Sequence, residues 1–259
     1  MAVIPGGDEL VVRSDAMVRI LARDMRIVSR FCMPTNFGSV AASEEIIYTT
    51  HRHEHIASLT HNDGWLRDGT EVAKYQDPDK SIAFQVLGPG GLLFCVLFDE
   101  NEDNTQDEII ALDAQTLQPR YRFGLSLLNE ACGMVVAGEE LFVCDYGNDR
   151  LQVFSLAGEH RRSITGEWQR PLALCFVKDR LYLVEEQDYV EDEDGELVHP
   201  LRGRRIFVLS LHGETLQVYT HRVDGQFFDD VVCCLDGTLL VSVVDHARVV
   251  VGVVAMEGV

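Results

Sequence analysis

Leu141-Phe-Val-Cys-Asp-Tyr-Gly-Asn-Asp-Arg150-Leu-Gln-Val-Phe-Ser-Leu-Ala-Gly-Glu159 is the stretch on which the fold turns. Two short apolar runs, Leu141–Val143 and Leu151–Phe154, flank a tight polar turn. Asp145, Gly147, Asn148 and Asp149 are the residue types that hairpin loops use, because they tolerate left-handed backbone or hydrogen-bond it locally. A second turn at Ala157-Gly158 closes the segment. The pattern predicts an antiparallel hairpin, and variants of it recur along the chain.

Taking the run before the polar turn as a marker, the same grammar appears at Glu9–Val12, Glu45–Tyr48, Leu92–Cys95, Leu141–Cys144, Leu181–Val184 and Leu239–Ser242. Their spacing, roughly 36 to 58 residues, lies in the range of propeller blades carrying loop insertions. An apolar run precedes each later marker, at Gly38–Ala41, Ile82–Val86, Gly133–Val136, Pro171–Phe176 and Val231–Leu235. A third run follows, as at Arg150–Phe154, Arg205–Leu209 and Arg248–Val251. A more polar fourth run comes after a turn: Met25–Val28, Glu71–Tyr75, Pro119–Phe123, His160–Ile164 and Thr215–Tyr219. Four strands of outward-increasing polarity describe a propeller blade, whose inner strands are covered on both faces while its rim meets water. The expected fold is therefore an all-β propeller of four-stranded antiparallel blades, with six blades. The expected blades are residues 1–30, 37–77, 81–124, 132–165, 170–220 and 229–256, in a single domain spanning 1–259. The last unit lacks a fourth run, so either residues 1–4 complete it or the ring closes on three strands.

The chain has 259 residues, 22 Lys+Arg against 42 Asp+Glu, and a formal net charge of −20. Nucleic-acid affinity comes largely from cationic side chains that release counterions, and anionic membranes attract basic segments, so neither partner is expected. The N-terminal Met-Ala-Val-Ile-Pro-Gly-Gly-Asp has neither the basic nor the apolar region of a secretory signal. No run approaches the ~18 apolar residues of a membrane span. Seven cysteines, several inside apolar runs (Cys95, Cys144, Cys175, Cys233, Cys234), read as reduced core residues of an intracellular, cytoplasmic protein.

The repeated grammar resembles the NHL-repeat family of β-propellers. The matching residues are Asp145, Gly147, Asn148, Arg150, Leu151, Val153, Phe154 and Gly158. Arg205 and Arg248 match the same arginine in later units, and Gly133 and Pro171 match the start of the inner strand. The first three units lack Asn-x-Arg. The resemblance implies a propeller serving as platform, subunit or enzyme; its RNA-binding members use basic faces, from which this charge departs. Asp145, Asn148, Arg150, Arg205 and Arg248 are expected to be structural, the arginines pairing with acidic or carbonyl groups at the hairpins.

Two acidic insertions fall between the second and third runs of their units, at 99–108 and 185–196. Equivalent loops of different blades emerge on one face, so both are expected to form an acidic docking surface for a protein with a basic surface. The expected contacts are Asp99, Glu100, Glu102, Asp103, Asp188, Tyr189, Glu191, Asp192, Glu193 and Asp194. Asp99, Asn101, Asp103 and Asp107 alternate as calcium ligands would, without the mid-loop glycine or closing glutamate of a calcium loop. His51, His53 and His55 have strand spacing suited to zinc but align with a hairpin tip. Lactonase-type six-bladed propellers hold a divalent cation in the central tunnel, and the comparable residues here are Asn129, Glu130, Asp229 and Asp230. No nucleophile elbow, Walker loop or His-Glu-x-x-His motif is present. The expected function is a non-catalytic interaction platform or subunit without cofactor. The alternative is a hydrolase using one calcium or other divalent ion.

Overall fold

The computed structural model describes residues 1–4, 9–14, 17–22, 26–32, 39–51, 55–60, 71–99, 107–186, 190–191, 197–198, 204–221, 226–233, 239–245 and 248–252. They divide into two compact units, one of Met1–Ala131 with Leu156–Glu159, the other of Cys132–Ser155 with His160–Val259.

The first unit holds three four-stranded antiparallel sheets in chain order. One comprises β1 (Ala2–Val3), β2 (Glu9–Ser14), β3 (Met17–Ala22) and β4 (Ile27–Cys32). The next comprises β5 (Val40–Ala42), β6 (Ile46–His51), β7 (His55–Thr60) and β8 (Glu71–Gln76). The third comprises β9 (Ser81–Gly88), β10 (Leu92–Phe98), β11 (Asp107–Asp113) and β12 (Pro119–Leu128). In the second unit, β13 (Ala131–Ala137), β14 (Glu140–Asp145), β15 (Arg150–Ser155) and β16 (His160–Thr165) form one sheet. A second sheet contains β17 (Pro171–Val177) and β18 (Arg180–Glu185). A short ribbon, β19 (Val190–Glu191) with β20 (Leu197–Val198), interrupts that sheet before it resumes with β21 (Arg205–Ser210) and β22 (Thr215–Thr220). A three-stranded sheet of β23 (Gln226–Cys233), β24 (Leu239–Asp245) and β25 (Arg248–Gly252) follows. Among the described residues no helix is long and apolar enough to cross a membrane.

The second strands β10, β14 and β18 are apolar over most of their length because both their faces are covered. Leu141, Phe142, Val143 and Cys144 on β14 are all fully buried, as are Leu181, Tyr182, Leu183 and Val184 on β18. In the first unit Ile4, Val11, Ile20, Val40 and Ile47 fill the space between the first two sheets. Tyr48, Ile56, Ile82, Leu93 and Ile110 fill the space between the second and third. In the second unit Cys175, Tyr182, Ile206, Phe228, Val231 and Val241 do the same between the last two sheets. At ~25 cal/mol per Å² of apolar area removed from water, these layers supply the main driving force for folding.

Outer strands make a repeated joint with a turn later in the chain, once within each unit. The Tyr121 hydroxyl, on β12, donates to the Leu156 carbonyl in the turn after β15. Two residues on, Phe123 lies under Gly158, where an added Cβ would stand 2.7 Å from the ring. In the second unit Arg162 on β16 donates to the Leu211 carbonyl at 2.9 Å. Ile164, again two residues on, lies under Gly213, 2.2 Å from where a Cβ would stand. Both glycines have positive φ, +87° and +92°. The sequence signal is Ser-Leu-x-Gly-Glu, at 155–159 and again at 210–214.

Arg162 also grips Glu140 with two hydrogen bonds, 2.5 and 2.8 Å. That hydrogen bond is the chief reason the Glu140 carboxyl titrates below its ordinary value. A folded-state value below the unfolded one means the stabilisation is complete above the unfolded value and is lost as pH falls through the folded one. Glu140→Gln is therefore expected to cost about 1 kcal/mol at pH 7 and to have no such cost once the carboxylate of the parent is protonated. Urea unfolding below about pH 4.5 should show the two proteins converging; parallel curves would refute the assignment.

Every outer strand of the four-stranded sheets has a bulge near its start. The ladder slips by one residue at Val28, Val72, Arg120, Arg161 and Leu216. This accounts for two large apolar side chains left in water, Val72 at 54% and Leu216 at 51% exposure. Bulges at a sheet edge twist it away from edge-to-edge pairing.

One expectation is corrected and two open alternatives are narrowed. Ala2 and Val3 pair with Val11 and Leu10, so residues 1–4 build the first sheet rather than complete the last. The inner strand of the last sheet starts at Gln226, not near Val231, because Phe227 and Phe228 are buried core residues. Asp229 is accommodated there as a bulge, between the pairs Phe228↔Val243 and Asp230↔Ser242. Asp107, the last of the residues that alternate as calcium ligands would, is buried and its Oδ2 accepts the Ala131 N–H at 2.5 Å.

Candidate interaction face

The tip between β14 and β15 is a single 3-10 turn, Tyr146–Asn148, closed by Asp149 in left-handed backbone (φ 53°, ψ 37°). Beneath it the fully buried Asp145 carboxylate collects donors: Arg150 Nε at 2.7 Å, Asn148 Nδ2 at 2.9 Å and Gln152 Nε2 at 3.2 Å. Gln152 Oε1 in turn accepts from Ser163 Oγ at 2.7 Å. The charge is thereby neutralised and its oxygens satisfied, which a buried carboxylate requires.

Glu185 occupies the same place on β18 and is likewise fully buried. It takes Arg205 in a two-pronged pair, Nε at 2.6 Å and a terminal nitrogen at 2.7 Å, and the Gln169 N–H at 3.4 Å. The Arg205 guanidinium lies 4.8 Å over the Phe207 ring, which meets Trp168 edge-on at 5.8 Å. The planar fork of arginine suits both contacts at once. Arg248 is in register with Asp245, the residue types of the same pairing on the last sheet.

These two tips are tied together at the surface. Tyr146 donates its hydroxyl to Glu186 Oε2, the residue where the longer acidic insertion leaves β18. Arg170 lies 5.7 Å over the Tyr146 ring and 3.5 Å from the same carboxylate. Its backbone N–H bonds Asp149 Oδ1 at 2.7 Å, and its carbonyl accepts the Glu186 N–H at 2.9 Å. Arg170 holds φ +45°, a left-handed conformation unusual for a side chain other than glycine. The patch exposes, between two carboxylates, an arginine stacked on a tyrosine, two residue types enriched where proteins bind proteins.

Of the expected contact residues, Asp99 is half-buried just after β10, and Glu191 lies in β19 of the short ribbon. Glu100, Glu102, Asp103, Asp188, Tyr189, Asp192, Glu193 and Asp194 lie outside the described residues, as does His53. His51 and His55 face each other in the ladder at the end of β6 and start of β7. Asn129 and Glu130 make the bend between β12 and β13, Glu130 exposed with φ +52°. In the other unit, Asp230 Oδ1 accepts the Val231 N–H at 2.8 Å, and Asp229 accepts Ser242 Oγ at 3.4 Å. Desolvation, and next the Asp230 charge, push the Asp229 carboxyl up, although the side chain keeps contact with water. Among the described residues no group of three or more His, Cys, Asp or Glu is placed to hold a metal. Cys95, Cys132, Cys144 and Cys175 are buried and free of disulfides.

The sequence reading missed Tyr146 and Arg170 and did not single out Glu186 within the 185–196 insertion; the three come from separate segments. The available signal was the carboxylate, Asp145 or Glu185, that ends each of two second strands opposite an arginine.

No family model matches the sequence, and no curated protein matches it. Solved structures do resemble the fold. The WD40 β-propeller domain of Doa1 superposes with a TM-score of 0.64 at 12% identity, over 93% of this chain and 74% of that one. A chain of the mitotic checkpoint complex gives 0.64 at 10% identity, over 94% and 72%. BamB from Moraxella catarrhalis gives 0.54 at 12% identity, over 93% and 80%. The chain is thus an all-β propeller with four-stranded antiparallel blades. Likeness at this identity carries the fold alone.

Proposed function

We propose that this chain is a non-catalytic interaction platform, or a subunit of a larger assembly. In this reading its six sheets are the blades of an NHL-like propeller. A partner with a basic surface docks on the hairpin tips, where the ordered patch of Tyr146, Asp149, Arg170 and Glu186 adjoins the acidic insertion. The observation that carries this is the patch itself: an exposed Arg–Tyr stack fixed by hydrogen bonds from two tips at the root of a run of carboxylates. A fixed patch loses little conformational entropy on binding, while the surrounding charge accelerates encounter with a cation. A checkpoint-complex chain and a WD40 domain among the similar structures are consistent with such a role.

Affinity capture on the full chain should retain a basic protein whose association slows steeply with added salt. Replacing residues 187–196 by a neutral Gly-Ser linker should slow association at least tenfold, and Arg170→Ala with Tyr146→Ala should speed dissociation. Capture unaffected by both changes would sink the proposal.

A further inference from the structure

The rims of the blades differ in how they repel other strands. Besides the bulge, β4 carries Arg30; β8 carries Glu71 and Lys74; β12 carries Pro119, Arg120 and Arg122; β16 carries Arg161 and Arg162. Charges and proline on an edge strand discourage pairing with another chain. β22, Thr215-Leu-Gln-Val-Tyr-Thr220, has none of these. It is the last strand of its sheet, paired on one side with β21, and five of its six residues are exposed. Val218 stands in water at 40% exposure beside Leu216 at 51%. A six-residue run of high strand propensity, without charge, proline or glycine, is the composition that pairs with itself.

We propose that β22 is the strand through which two copies of this chain associate, edge to edge and antiparallel. This surface is separate from the hairpin tips and does not depend on their function. The charge pattern selects a second copy as occupant: two chains of net charge −20 approach most readily where a rim strand carries none. The pairing is also self-complementary. A two-fold axis normal to the sheet pairs residues of equal parity, because facing residues must point to the same side. Centring the axis on Val218 places Val218 opposite Val218 and Gln217 opposite Tyr219. The regular ladder then covers Gln217–Tyr219, with the bulged Leu216 just beyond it.

Sedimentation velocity of the full chain across a dilution series tests this. The mass should rise from 29.0 kDa toward twice that value with concentration. Val218→Lys sets two ammonium groups face to face and should weaken dimerisation at least tenfold. The site is exposed, so its melting temperature should stay near the parent's. Val218→Cys should cross-link under a disulfide oxidant such as oxidised glutathione, with loss of both thiol protons. Thr215→Cys should not, since in this register its copies stand about 20 Å apart. The parent chain controls for native cysteines. A chain that stays monomeric, a dimer indifferent to Val218→Lys, or equal cross-linking at both positions would overturn the proposal.

Discussion

Gly133→Ala is expected to destabilise the protein by about 3 kcal/mol, the upper part of the range for overpacking a well-filled interior. Gly133 lies on β13, and its Cα faces the backbone of β17. A Cβ there would stand 2.5 Å from the Leu172 carbonyl oxygen and 2.8 Å from Ala173 Cα. Neither atom belongs to a flexible side chain, so one strand would have to move from the other. Beside it, the Cys132 thiol donates to the Pro171 carbonyl at 3.2 Å, so displacement would also loosen a buried hydrogen bond. The comparison that isolates this effect is Gly138→Ala. Gly138 has φ +61° and nothing within 4 Å of an added Cβ, so only the left-handed backbone is penalised. That change is expected to cost about 1 kcal/mol. Guanidinium unfolding of both variants checks the difference. Equal losses would mean that the two inner strands do not approach as closely as described.

Arg205→Met should be at least as damaging, about 3–5 kcal/mol, because it leaves the fully buried Glu185 charge without its partner. The reverse deletion, Glu185→Ala, should cost less, ~1–2 kcal/mol. The Arg205 side chain is 23% exposed and can turn its charge to water, whereas Glu185 cannot. Combining Arg205→Met with Glu185→Gln should recover most of the loss, since a neutral amide keeps the shape without the stranded charge. An additive double variant would show that the pair is held by packing on Phe207 instead.

Regular alternation of strand and turn made the middle of the chain legible. Leu141–Cys144 and Leu181–Val184 are read as strands from their apolar runs, and both lie within second strands of four-stranded sheets. At Phe227-Phe228-Asp229-Asp230 the same logic fails. The apolar run is read from Val231, after two acidic residues, but the bulge at Asp229 lets the strand pass through them with both phenylalanines in the core. β12 similarly runs through Gly124 to Leu128, longer than the polar pattern suggested. The candidate site was legible only as charge. Runs of Asp and Glu stand out in a sequence, while Tyr146, Arg170 and Glu186 meet only because a hairpin tip, a sheet-to-sheet connection and the end of β18 converge. Arg205 was legible as a pairing arginine, but the insertion between them hid Glu185 as its partner.

The rim joint has a consequence for how such a chain can change its length. The Leu156 and Leu211 turns present the same carbonyl and the same glycine, so each can receive the outer strand that the other receives now. Tyr121 with Phe123, and Arg162 with Ile164, are therefore interchangeable plugs for one kind of socket. Excising residues 156–210 would remove one whole period and leave Leu211 where Leu156 had been. Recombination at these turns would add or delete a period while keeping the form of the rim joint, and a tolerated change would come in steps of one socket-to-socket interval.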